Sequence, residues 1–216
     1  MAGDVLNFAL LAISSILIIV NPLGATLIYA SLTTNMDRLA RDAVARDACR
    51  YAFIILLIVA LIGTWLLQLF GITLEAFRIA GGILLFGIGM EMVYAKTSRT
   101  KLTATEKYES RETEDISIMP LAIPMTAGPG AITTTIVLMN EATTMTPIAI
   151  GIVLLSIAIS IVLTYYMMRN SDYILTKIGQ REYRAINRLM GMLLIAIAVQ
   201  FVINGIRLAF PLLSGG

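Results

Sequence analysis

Long apolar stretches alternate with short polar ones along the chain. Six of the apolar stretches are long enough to cross about 30 Å of hydrocarbon as helices. They run from about Val5 to Thr33, Tyr51 to Phe70, Thr73 to Tyr94, Ile116 to Asn140, Thr146 to Met168 and Leu189 to Phe210. Bare backbone is costly in lipid, so each is expected to be a helix, and none shows the alternation of a membrane barrel. The expected fold class is all-α integral membrane with six transmembrane helices. The N-terminal "MAGDVLNFALLAISSILIIV" carries Asp4 and no basic residue, so it reads as a retained first span rather than a standard signal peptide.

Two of the six stretches are interrupted. The first contains "NPLGA" (21–25), and the fourth contains "PLAIPMTAGPGAITTT" (120–135). Proline within a helix removes a donor and clashes with the preceding turn, and glycine loosens the backbone beside it. Helices one and four are therefore expected to be discontinuous, breaking at Asn21–Gly24 and Thr126–Gly130. Broken backbone at membrane depth is tolerated only inside protein or along a wet cavity. Each second half-helix should offer free N–H groups, from about Leu23 to Thr26 and from Gly130 to Thr133. Each first half should offer free carbonyls, near Ile19 and Val20 and near Ile123 and Met125. Helix N-termini attract anions and carbonyl ends attract cations. The pair suits a small zwitterion without any charged side chain. The candidate binding residues are Asn21, Pro22, Leu23, Gly24 and Ala25 with Thr126, Ala127, Gly128, Pro129, Gly130 and Ala131. Thr133, Gln200 and Asn204 are candidate helpers, with Thr134 and Gln68 as further polar neighbours. Threonine hydroxyls often bond only their own helix backbone.

The halves of the chain echo each other. Aligning Pro22 with Pro129 and "FRIAGGILLF" (77–86) with "NRLMGMLLIA" (187–196) gives offsets of 107 and 110 residues. Three spans per half make the second half enter from the opposite side, so the reading is two inverted three-helix repeats. The division is 1–95 for the first repeat, 96–115 for a polar linker and 116–216 for the second repeat. Inverted repeats with matched broken helices point to a transporter with its site near the midplane. Chance likeness between Leu-, Ile- and Gly-rich helices is the competing explanation.

Charge sets the expected orientation. Of 16 Lys and Arg residues, 14 fall in the connections one–two, three–four and five–six. These connections should be cytoplasmic and both termini extracytoplasmic, in the cell membrane. Arg78 and Arg207 lie elsewhere, and Arg78 is expected to snorkel to the interface. Glu91 is a candidate carrier of a coupling proton. Small residues Gly191, Ala198 and Gly205 form a stripe on segment six, as do Ala76, Ala80 and Gly87 on segment three. The stripes suit close packing, with a sliding surface as the alternative.

At 58% hydrophobic and 14% charged, with mean hydropathy +0.85, the composition is that of a membrane protein. There is no His, and Cys49 is the only Cys, so an intramolecular disulfide, a Cys/His metal site and a histidine base are excluded. Cys49 beside Arg46 and Arg50 reads as a small helix residue rather than a reactive thiol. No cofactor is expected, no nucleic acid, and no nucleotide motif that would make the chain itself an ATP-driven pump.

The stretches "NPLG", "FRIAGGILLFGIG", "PLAIPMTAGPGAI", "NRLMGMLL" and "VQFVINGI" resemble the MarC family, also called the neutral amino acid transporter family. The resemblance covers nearly the whole chain. It implies six spans, a site at Asn21–Ala25 and Thr126–Ala131, and transport of glycine and alanine, with a coupling proton or sodium ion as a further partner. Multidrug or other small-solute efflux is the alternative that the family name suggests. A structural or regulatory membrane subunit is the alternative from another class, and an enzyme is not expected.

Overall fold

The computed structural model describes residues 2–94 and 116–210, and the expected linker 96–115 lies outside the described residues. The elements are α1 (Ala2–Val20), α2 (Pro22–Leu32), α3 (Arg38–Leu69), α4 (Leu74–Tyr94), an irregular segment Ser117–Thr126, α5 (Pro129–Met145), α6 (Pro147–Arg169), α7 (Ser171–Lys177) and α8 (Gln180–Ala209). Five stretches are long and apolar enough to cross a membrane: Asp4–Leu32, Arg38–Leu69, Leu74–Tyr94, Pro147–Arg169 and Arg181–Ala209. Ser117–Thr126 and Pro129–Met145, bent by 53° against each other, make a sixth if taken as one span. The described residues form an all-helical integral membrane protein with five to six candidate spans.

Local chemistry sets the helix ends. Asp37 caps α3, its side chain accepting from the Ala40 N–H at 2.9 Å. This starts α3 well before the apolar run at Tyr51. The polar first turns still bury Val44, Ala45, Ala48, Cys49 and Ala52, spaced for one helical face. Cys49 is 5% exposed and serves as a core residue. At the start of α6, Thr146 caps and Pro147 takes the first helical position, where its missing N–H costs nothing.

Helix α6 lies at the centre, packed on α1, α2, α3 and α5. Its buried Ala149, Val153, Ile157 and Ile161 join the core built around Ile16, Leu56 and Leu138. Helices α4 and α8 pair along their lengths. Apolar burial drives little in lipid, so close contact has to come from shape. A Cβ at Gly82 would lie 2.7 Å from the Ala198 carbonyl, and one at Gly89 would lie 3.0 Å from the Gly191 carbonyl. The stripe read on segment six therefore lies in this interface. The stripe read on segment three does not. Ala76, Ala80 and Gly87 are exposed, and the contact uses the neighbouring face through Gly82 and Gly89.

The two ends of the bundle differ. At one end, Arg41 grips Asp172 through both carboxylate oxygens, at 3.0 and 2.9 Å, and also donates to Ser171. Asp42 receives Arg46 at 3.0 Å and Arg169 at 3.5 Å. Tyr29 donates its hydroxyl to the Arg41 carbonyl at 2.8 Å. These bonds put the α2–α3 and α6–α8 connections together, and we call this the basic end. At the other end Arg78 corrects its expected role. It is 6% exposed and pairs with Glu141 of α5 at 3.5 Å. The partly exposed Glu141 supplies the partner, and the guanidinium stays buried against it rather than reaching outward.

Candidate functional site

The first break is one residue wide. Asn21 adopts the left-handed conformation (φ 49°, ψ 67°), which Asn tolerates better than most residues. Its side chain accepts from the Gly24 N–H at 3.2 Å, and its carbonyl accepts from the Ala25 N–H at 3.0 Å. Two of the donors expected to be free between Leu23 and Thr26 are therefore taken. The cause is local, because a capping side chain sits where a ligand oxygen would. Gly24 leaves room for it: a Cβ there would lie 2.5 Å from Asn21 Nδ2. The Thr26 hydroxyl donates back to the Pro22 carbonyl at 2.7 Å.

The second break is wider. Met119 (φ −121°, ψ 123°) and Ile123 (φ −126°, ψ 126°) are extended, each just before a proline, so the irregularity begins earlier than Thr126. The residue before proline is pushed out of the helical region. Thr126 donates its hydroxyl to the Leu121 carbonyl at 2.8 Å, and the Ala127 N–H bonds the Ala122 carbonyl at 2.8 Å. Helix α5 then starts at Pro129 with Gly128 as its cap position and no side-chain cap. Its first-turn donors, Gly130 and Ala131, lack the intrahelical partners that later residues have. Gly128 passes close to the chain before it, since a Cβ there would strike the Pro124 carbonyl oxygen.

The two breaks lie close together. A Cβ on Gly130 would lie 3.5 Å from Cγ2 of Ile19, two residues before Asn21, and 2.8 Å from Leu85 Cδ2 of α4. Pro22, Gly24, Ala25, Thr126, Ala127, Gly128, Gly130 and Ala131 are buried, Asn21 and Leu23 are half-buried, and Pro129 is exposed. Thr133 is buried against Gly81 of α4. Gln200 and Asn204 lie on α8, where the Gln200 amide donates to the Asn204 side-chain oxygen at 2.9 Å. They bond each other rather than the breaks, and Gln200 is exposed.

The fold also brings forward residues that the sequence did not single out. Ser15 on α1, Thr135 on α5 and Ser160 on α6 are buried with no hydrogen-bond partner for their hydroxyls, as is Thr134. Helix α1 packs on both α5 and α6. At 1.5 Å per residue, Thr134 lies about 6 Å along α5 from Gly130, and Ser15 about 9 Å along α1 from Asn21. Leaving a buried hydroxyl unpaired costs about 1–3 kcal/mol each, so such groups call for an explanation. Among the described residues no group of three or more His, Cys, Asp or Glu could hold a metal ion. The chemistry available around the breaks is therefore backbone amides, carbonyls and hydroxyls.

The description "MarC family integral membrane protein" matches residues 6–210. The chain is 42% identical over 205 residues to UPF0056 membrane protein MJ1677 of Methanocaldococcus jannaschii, covering 94% of this chain and 97% of that protein. It is 37% identical over 201 residues to UPF0056 membrane protein YvbG of Bacillus subtilis, covering 93% and 94%. With UPF0056 membrane protein YhcE of Escherichia coli the identity is 35% over 193 residues, covering 89% of each. No solved structure matches the chain. The protein belongs to the MarC family of integral membrane proteins.

Proposed function

We propose that the protein is a secondary transporter of small neutral amino acids, glycine and alanine foremost, working by alternating access. In this reading the substrate sits between broken helices one and four. Its carboxylate meets the uncapped Gly130 and Ala131 N–H groups, and its ammonium meets carbonyls at the ends of the preceding segments. The observation that carries the reading is the approach of Gly130 to Ile19, which sets the two breaks side by side. The unpartnered hydroxyls of Thr134 and Ser15, about 6 and 9 Å along their helices from the breaks, add polar groups. Leu85 and Ile88 crowd Gly130, so a substrate with little or no side chain fits this reading best.

The packing supports two inverted repeats. Take span one as α1 with α2, span two as α3, span three as α4, span four as the irregular segment with α5, span five as α6 and span six as α8. Span one packs on span five as span four packs on span two, and span three packs on four as span six packs on one. The pairs three–six, two–five and one–four each map onto themselves under a two-fold axis in the membrane plane, whereas four packs on five without an equally close contact of one on two. The basic end faces the cytoplasm in this reading, by the excess of Lys and Arg there. A coupling proton or sodium ion would drive net movement.

Ligand-induced stabilisation tests the binding step. Glycine or alanine should raise the unfolding temperature of the purified protein, because a ligand bound only by the folded state stabilises it. The increment should shrink as the side chain grows through valine to leucine. No shift from glycine, alanine or serine at millimolar concentration would refute the substrate class.

A further inference from the structure

A cavity of about 450 Å³ opens at the basic end, between α2, α7 and the start of α8. Leu23 and Leu27 of α2 form one wall, and Ile174, Leu175 and Ile178 form the other. Tyr183 and Arg184 stand where α8 begins. The lining is therefore aliphatic along its length with one cation at its edge.

The charge around it is unbalanced. Lys177, Arg181, Arg184 and Arg188 are exposed and form no ion pair among the described residues. Among the described acids of α7 and the first turns of α8, Asp172 is held by Arg41, which leaves Glu182 beside Lys177, Arg181, Arg184 and Arg188. Helix α7 is short, with Ile174 and Leu175 turned to the cavity and Asp172 and Lys177 exposed. That is the pattern of a segment lying in the membrane interface. The apolar wall reaches Leu23, next to the cap of the first break, while the cation sits toward the polar connection.

We propose that this groove binds one anionic phospholipid, an acyl chain lying along Leu23, Leu27 and Ile178 and the phosphate on Arg184. An apolar channel with a cation at its edge complements a molecule with an apolar tail and an anionic head. A neutral lipid or a free anion would satisfy only one of the two halves. Bound there, the chain braces α2 beside Asn21, so lipid composition acts on the first break directly. The inference does not depend on what the protein transports.

Native mass spectrometry of the full-length protein tests it. The probes are phosphatidylglycerol, phosphatidylcholine with the same acyl chains, and glycerol phosphate as the headgroup without chains. One phosphatidylglycerol should be retained, phosphatidylcholine should not, and glycerol phosphate should fail to compete. Arg184→Gln should lower phosphatidylglycerol occupancy about fivefold, the effect of one surface cation on an anionic lipid. Arg181→Gln removes the same charge outside the cavity and should lower occupancy clearly less than Arg184→Gln does. Leu27→Trp fills the cavity and should also displace the lipid. If that variant does not fold, the arginine pair still decides. Equal retention of the two lipids, equal loss in both arginine variants, competition by glycerol phosphate, or displacement of lipid by a second copy of the chain would each overturn the proposal.

Discussion

Asn21 gives the most quantitative test of the first break. Replacing it with alanine removes the side-chain cap on Gly24, worth about 1 kcal/mol at a typical helix start. Alanine also has to hold φ at 49°, a left-handed conformation that costs an ordinary residue at least about 1 kcal/mol. The two add to about 2 kcal/mol for Asn21→Ala. Asn21→Gly loses the cap but adopts positive φ freely, and Gly at a cap position costs only a few tenths of a kcal/mol relative to Asn. For a chain of this size, 1 kcal/mol corresponds to about 2–4 °C, so Asn21→Ala should lower Tm by about 4–8 °C and Asn21→Gly by under about 2 °C. The assay is thermal unfolding of detergent-purified protein without ligand. If the alanine variant matches or exceeds the glycine variant, the backbone at Asn21 is not left-handed in the folded protein and the account of the break is wrong. Binding should move the other way. Asn21→Gly frees the Gly24 N–H and should lower the glycine concentration needed for half-maximal stabilisation.

The remaining predictions separate contacts that sequence inspection would treat alike. Gly128→Ala drives a Cβ onto the Pro124 backbone carbonyl and should cost most of the folded, monodisperse yield, whereas Gly130→Ala meets side-chain ends alone, the movable tip of Leu85 nearest, and should fold. Gly87→Ala meets nothing within 4 Å and should be neutral or raise Tm, since alanine favours helix by up to about 1 kcal/mol. Glu141→Gln leaves the buried Arg78 guanidinium without its partner and should cost about 1–3 kcal/mol, between the limits for exposed and buried pairs, with Arg78→Leu/Glu141→Leu costing less than either single change. The Arg41 guanidinium holds the Asp172 carboxyl below its usual 3.8. That contribution is fully present above pH 3.8 and is lost as pH falls through the lower folded value, so the Tm gap between wild type and Asp172→Asn should be constant from pH 7 to about 5 and close below about 4.

How much of this was legible beforehand follows from what each signal depends on. Helix existence depends on apolar runs, and all six run positions reappear as helices or as the bent pair. The breaks announce themselves through Pro22, Pro129 and their glycines, because proline acts on its own turn. The extended Met119 and Ile123 follow from the same local rule, since each precedes a proline. The early start of α3 was missed because Arg38–Arg50 is amphipathic, so its average hydropathy is low while one face is fully buried. The pairing of Arg78 with Glu141 joins residues far apart in sequence, and nothing local marks it. The same holds for the α4 face that meets α8: several stripes of small residues are available, and only the packed partner selects Gly82 and Gly89. The unpartnered hydroxyls of Ser15 and Ser160 carry no sequence signal, since a serine in a membrane helix normally bonds its own backbone.

Uptake of labelled glycine by the purified protein in liposomes, under proton and sodium gradients imposed separately, tests the central claim most directly. The account predicts saturable uptake that one of the two gradients drives, that unlabelled alanine competes away and that bulky leucine does not. Vesicles containing correctly folded protein that take up no more glycine than empty ones under either gradient would contradict it.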